Sequence, residues 1–214
     1  MLTAELLYAE KRLFFSVLEN FLTGFLAYFA GYRVIASERY YSMEKENYYL
    51  NGTVDCILED MREDSPEKNS ALIVDFKKNN IPKLEACTGA GEGMTDFQLP
   101  AYLCLAEKAL EKNVNTALFF SITEVKSTVL FGSIKNTVDG KTGAKKADDV
   151  IGRRSEGFTE IMNEFDCKTK QFVNEISAGN FSFFPSDYRH CAECGYSRVC
   201  RTCYLICGEK NYGK

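Results

Sequence analysis

Asn-Gly-Thr-Val-Asp at residues 51–55 and Ala-Leu-Ile-Val-Asp-Phe-Lys at 71–77 flank a polar break from Glu59 to Ser70, the pattern of two strands joined by a loop. Along an extended strand, side chains two apart share a face. Asp75 and Lys77 are therefore expected on one face of the second strand, with Leu72, Val74 and Phe76 on the other. If the strand from Gly52 to Leu58 pairs beside it, Asp55 reaches the same patch. Two carboxylates converging at a sheet edge can hold a hard divalent cation through oxygen. A neighbouring ammonium can orient a water and stabilise developing negative charge. That chemistry suits hydrolysis of a phosphodiester. The bland alternative is a surface ion pair between Asp75 and Lys77, worth little in water. The placement of both aspartates favours chemistry: one directly follows an Ala-Leu-Ile-Val run and the other follows a glycine twenty residues earlier, where strands leave a core.

The 214 residues suffice for one domain with a single good core. A content of 45% hydrophobic and 26% charged residues is ordinary for a soluble globular chain. The net charge of −4 gives no overall nucleic-acid footprint. Charge is uneven, however. Residues 135–154 hold six basic side chains against three acidic ones, and Lys77, Lys78 and Lys83 cluster after the candidate site. The uncharged run 21–32 is only about a dozen residues, too short to span a bilayer, and Glu5, Glu10, Lys11 and Arg12 argue against a signal peptide. The expected location is intracellular, in the cytoplasm. There, nine cysteines point to metal or reactive chemistry instead of a disulfide framework.

In chain order, residues 3–30 read as one helix, with Phe14, Leu18, Phe21, Phe25 and Tyr28 at spacings of three and four and Gly31 at its end. A helix that starts at the first residues without a cap suggests a piece of a longer polypeptide. Tyr32 to Met43 and Asn47 to Leu58 read as strands, and Glu38 within the first is either a solvated residue or one that reaches the metal patch. Residues 81–93, punctuated by glycines, read as a flexible flap without a phosphate-loop fingerprint. Thr95 to Lys112 is the next helix, with Thr95 and Gln98 as a capping box and Met94 stapled to Leu99. Gln98 and Tyr102, four apart, share a face and can contact a phosphate or a base edge. Thr116 to Glu124 and Ser127 to Ile134 read as a hairpin, residues 136–150 as a polar loop, and Arg154 to Ser177 as an amphipathic helix.

Near the C-terminus, Cys191, Cys194, Cys200 and Cys203 have the spacing C-x2-C-x5-C-x2-C, and Cys207 follows. This is a metal-ligand pattern that suits zinc or an iron–sulfur cluster, and the spacing does not choose between them. His190 beside Cys191 is either a further ligand or, the preferred reading, an exposed neighbour of the cluster.

The order G-T-V-D at 52–55, V-D-F-K at 74–77, Q-L-P-A-Y at 98–102 and C-A-E-C-G-Y-S-R-V-C at 191–200 resembles the PD-(D/E)xK nuclease superfamily. Within it, the set is most similar to RecB-like and AddB-like nuclease domains that carry an iron–sulfur staple. The resemblance implies a restriction-endonuclease-like α/β core: a mixed sheet flanked by helices over residues 1–188, with a cysteine-rich segment over 189–214 packed on it. It also implies a DNA nuclease of exonuclease type that uses magnesium or manganese and belongs to a helicase-nuclease active in recombination and repair. Asp55 and Asp75 match the metal-binding acids, Lys77 the catalytic lysine, and Gln98 and Tyr102 the Q-x-x-x-Y motif. Cys191, Cys194 and Cys200 match three ligands of a four-iron four-sulfur cluster, with Cys203, Cys207 or no residue of this chain supplying the fourth. Two departures stand out: the family's upstream cysteine is absent, and so is its metal-binding histidine on the early helix. The rival expectation is a catalytically inactive DNA-binding or assembly module of the same fold. A zinc-stabilised protein without a nucleic-acid role is the third.

Overall fold

The computed structural model describes residues 4–90, 93–132, 151–153 and 155–180. The cysteine cluster, His190 and most of the basic stretch 135–154 lie outside the described residues. The elements run α1 (Ala4–Tyr28), β1 (Tyr32–Glu44), β2 (Tyr49–Asp60), β3 (Ala71–Lys77), α2 (Leu84–Thr88), α3 (Gln98–Leu110), β4 (Val114–Ser121), β5 (Lys126–Phe131) and α4 (Glu156–Ser177). By its backbone contacts the chain divides between residues 169 and 170, within α4.

The five strands form one sheet in the order β1-β2-β3-β4-β5. β1, β2 and β3 pair antiparallel, β3 and β4 parallel, and β4 and β5 antiparallel, so the sheet is mixed. A parallel pair needs a crossover, and α3 lies within it. The two parallel strands are covered on both faces, which explains their nearly unbroken apolar sequences.

On one face, Ile57 of β2, Ile73 of β3 and Phe119 of β4 pack with Leu99, Leu103 and Ala106 of α3 and with Phe158, Ile161 and Phe165 of α4. On the other, Cys56, Leu58, Leu72, Val74 and Phe120 pack with Phe21, Phe25 and Tyr28 at the C-terminal end of α1 and with Phe29 just beyond it. The Phe25 and Phe29 rings are 4.7 Å apart, and Phe21 meets Phe76 edge-on at 5.5 Å. Gly24 brings α1 against the β4–β5 turn, where an added Cβ would lie 2.0 Å from Val125 Cγ1. The first half of α1 differs from the sequence expectation. Phe14, which belongs to the same spacing pattern as Phe21 and Phe25, is exposed together with Leu7, Leu13 and Phe15. The helical period is kept, but the sheet does not extend under this part of the helix.

Two further expectations change. Residues 81–93, read as a flap, contain the short helix α2, which buries Cys87 and ends at Gly89 in the left-handed conformation (φ 78°). The α3 start also moves: the helix begins at Gln98 and not at Thr95, so no Thr95–Gln98 capping box forms. Met94 and Leu99 are nevertheless both buried in the same cluster.

Candidate active site

The register of β2 and β3 builds the site. The strands pair from Glu59↔Ala71 to Cys56↔Val74, and the backbone ladder stops there. One step further, the Phe76 N–H donates to Asp55 Oδ2 at 2.9 Å, so a side chain replaces a ladder acceptor where the strands part. Asp55 is thereby fixed beside Asp75. The period-two alternation places Asp75 and Lys77 on the α3 side of the sheet and Leu72, Val74 and Phe76 on the α1 side, as the sequence predicts.

Asp75 is 1% exposed. Lys77 Nζ lies 2.7 Å from its Oδ2, yet off the line of a good hydrogen bond, so this buried oxygen accepts none among the described residues. Burial pushes the Asp75 carboxyl up to about 6; Lys77 opposes this, and the negative charges of Asp55 and Asp96 add to it. Lys77 Nζ also donates to Gln98 Oε1 at 2.5 Å. The Tyr102 phenol is raised above its ordinary value by burial first and then by the negative charges of Asp75 and Asp55, with Gln98 acting in the opposite direction. Asp75, Lys77 and Gln98 are thus linked in series, and Asp55 and Tyr102 lie close enough to interact with them electrostatically. Gly52 lies beneath α3, where an added Cβ would come within 3.5 Å of the Tyr102 ring.

Two acidic neighbours complete the surroundings. Glu38 falls opposite Asp55, between the pairs Ser37↔Cys56 and Arg39↔Val54, in a left-handed conformation (φ 46°) that is uncommon for a non-glycine strand residue. Its charge contributes to raising the Tyr102 phenol. Asp96 was missed by sequence reasoning, because Thr95 was read as the cap. Its Oδ1 accepts the Gln98 N–H at 3.1 Å, and its charge bears on Asp75. The signal was present as an Asp two residues before the first helical position.

A hard divalent cation suits this donor set, since a buried carboxylate oxygen without an aligned donor is relieved by positive charge and oxygen ligands are what magnesium and manganese prefer. Asp55 and Asp75 would hold it. Among the described residues, no group of three or more His, Cys, Asp or Glu side chains is close enough to hold a metal ion. A groove of about 990 Å³ opens beside the C-terminal end of β3, lined by Asn79, Asn80, Lys83, Thr95, Lys126 and Thr128, among others, and not by Asp55 or Asp75.

A scan against protein families matches residues 3–201 to the PD-(D/E)XK nuclease superfamily. The chain belongs to this superfamily. The mixed sheet with flanking helices is its restriction-endonuclease-like architecture, and its members are generally divalent-metal-dependent nucleases. A search of curated proteins returned no match. No described helix of this superfamily member is long and apolar enough to cross a membrane.

Proposed function

We propose that this PD-(D/E)XK chain is a metal-dependent deoxyribonuclease that hydrolyses phosphodiester bonds at the parted ends of β2 and β3. The observation that carries the reading is the convergence of Asp55, buried Asp75 and Lys77 where the strand ladder stops. Asp55 and Asp75 would hold the cation. Bound magnesium or manganese supplies Lewis-acid chemistry at the phosphate and lowers the pKa of an attacking water. Lys77 presents an ammonium whose position is fixed from two sides, by Gln98 Oε1 and by Asp75 Oδ2. Such a charge, already oriented before reaction, stabilises the negative charge that builds on the phosphate oxygens. The Tyr102 phenol keeps its proton, since burial raises it, and serves as a neutral donor to a phosphate or base edge.

The finer assignment, a RecB- or AddB-like nuclease domain that works with a helicase in DNA repair, rests on the order of the four motifs. It includes Cys191, Cys194 and Cys200 as cluster or zinc ligands, with Cys203 a candidate fourth. A second reading, a DNA-binding or assembly module that no longer cleaves, is favoured by one observation: α1 carries no histidine to add to the two carboxylates.

The test is cleavage of labelled linear single- and double-stranded DNA with magnesium, with manganese and with chelator. Cleavage that requires metal and falls at least about 10²-fold in Lys77→Ala is expected. Metal-independent cleavage, or a Lys77→Ala variant as active as the parent, sinks the reading. DNA binding without cleavage selects the second.

A further inference from the structure

The segment ahead of α3 is anchored at both ends. Thr95 N and Asp96 N both donate to Ala86 O of α2, at 2.8 and 3.0 Å. Asp96 Oδ1 then accepts the backbone N–H of Gln98, the first residue of α3. Gln98 Oε1 accepts from Lys77 Nζ, and Lys77 meets Asp75. Contacts therefore run without a break from the backbone of α2 to the buried carboxylate. The position matters because Gln98 stands at a helix start, where N–H groups lack partners within the helix and the first turn frays without a cap. Phe97, at the cap position itself, offers no side-chain hydrogen bond to the helix start. A frayed first turn would release a side chain with several rotatable bonds, and with it the amide oxygen that accepts the Lys77 hydrogen bond.

We propose that Asp96 is a positioning residue: by capping Gln98 it fixes the amide oxygen that keeps the Lys77 ammonium against Asp75. This rests on the nuclease reading above. The role needs an acceptor oxygen at Oδ1 and not a negative charge, and asparagine offers the same oxygen at the same distance along the chain. The two properties of Asp96 can therefore be separated by substitution.

The experiment compares the parent, Asp96→Ala and Asp96→Asn in two measurements: steady-state cleavage of linear DNA with manganese, and the side-chain amide resonances of Gln98 in chelator-treated protein. Asp96→Ala is expected to lower kcat by about 10- to 10²-fold with KM within about twofold, as for a small misplacement of a catalytic group. Its Gln98 amide resonances are expected to shift or broaden. Asp96→Asn is expected to match the parent in both. An Asp96→Ala variant with parental kcat and unmoved Gln98 resonances overturns the proposal. So does an Asp96→Asn variant as impaired as the alanine, because charge and not capping would then be the cause. If Asp96→Ala does not fold, the asparagine variant alone decides. If the parent shows no metal-dependent cleavage, the nuclease reading fails and the resonances still judge the positioning.

Discussion

Two groups of buried carboxylates sit on the same sheet and are treated in opposite ways. At the loop end of β2, Glu59 and Asp60 are 3% and 1% exposed, as little accessible to solvent as Asp75. Glu59 accepts from Arg33 and Lys112, and these hydrogen bonds hold its carboxyl below the ordinary range. Asp60 accepts from Arg62 Nε at 2.9 Å and Nη2 at 2.6 Å, from the Arg62 amide and from the Ser65 hydroxyl, and falls to about 2. Asp75 has one ammonium nearby, imperfectly aligned, and rises to about 6. Burial alone therefore does not mark a site. What separates the two ends is the balance: desolvation leads at Asp75, whereas hydrogen bonds from donors within the protein outweigh it at Glu59 and Asp60.

The largest effect that tests this contrast is at Asp75. In Asp75→Asn, metal-dependent cleavage is expected to fall at least about 10²-fold while the chelator-treated protein becomes no less stable, and more stable at neutral pH. The pH dependence follows from sign. A carboxyl raised in the folded state binds its proton more tightly there, so its favourable contribution is present below the unfolded value near 3.8 and is lost as pH rises to about 6. Denaturant melts of the metal-free parent should lose up to about 3 kcal/mol across that window relative to Asp75→Asn. Equal pH profiles for the two proteins would show that Asp75 is satisfied after all.

Asp60 should behave as the mirror image. Asp60→Ala removes four accepted hydrogen bonds and leaves Arg62 over the Tyr32 ring without its carboxylate, at an expected cost of about 2–3 kcal/mol. The stability of the parent from this group is present above pH 3.8 and is lost as pH falls through about 2. Cleavage at neutral pH, measured at a temperature where the variant is folded, is expected to stay within about twofold of the parent because Asp60 lies outside the candidate site. A loss of activity as large as that of Asp75→Asn would erase the distinction between the two ends.

The parts of this arrangement that could be read in the sequence are those set by rigid periodicity. Two-residue alternation places Asp75 and Lys77 on one face without knowledge of their surroundings, and four-residue helical spacing places Gln98 and Tyr102 together. Where tertiary packing decides, the reading fails. Phe14 has the spacing of Phe21 but no sheet beneath it, and the glycine-rich segment after β3 hides α2 because its burial of Cys87 is a long-range matter. Asp96 was lost to a local competition between two plausible caps, Thr95 and Asp96, that only the true first residue of α3 resolves. The Glu59 network was equally hidden, since Arg33 and Lys112 lie far from Glu59 in sequence, whereas the partners of Asp60, Arg62 and Ser65, are its near neighbours.

The smallest expected effect closes the comparison from the side of solvent. Lys68 Nζ lies 2.5 Å from Glu63 Oε2, a shorter contact than Lys77 makes with Asp75, yet the Glu63 side chain is 83% exposed. Water already solvates both charges, and holding two long side chains in one geometry costs rotamer freedom, so distance is a poor guide to worth. Lys68→Ala is expected to change the unfolding free energy by less than about 0.5 kcal/mol, with that difference shrinking further in high salt. The Lys68 N–H bond to Ser65 O belongs to the backbone and survives the substitution. A loss above about 1 kcal/mol would mean that contact length, and not the balance of desolvation against internal donors, ranks the carboxylates of this sheet. In that case the raised Asp75 would no longer single out one end of the sheet as the place where a cation is needed.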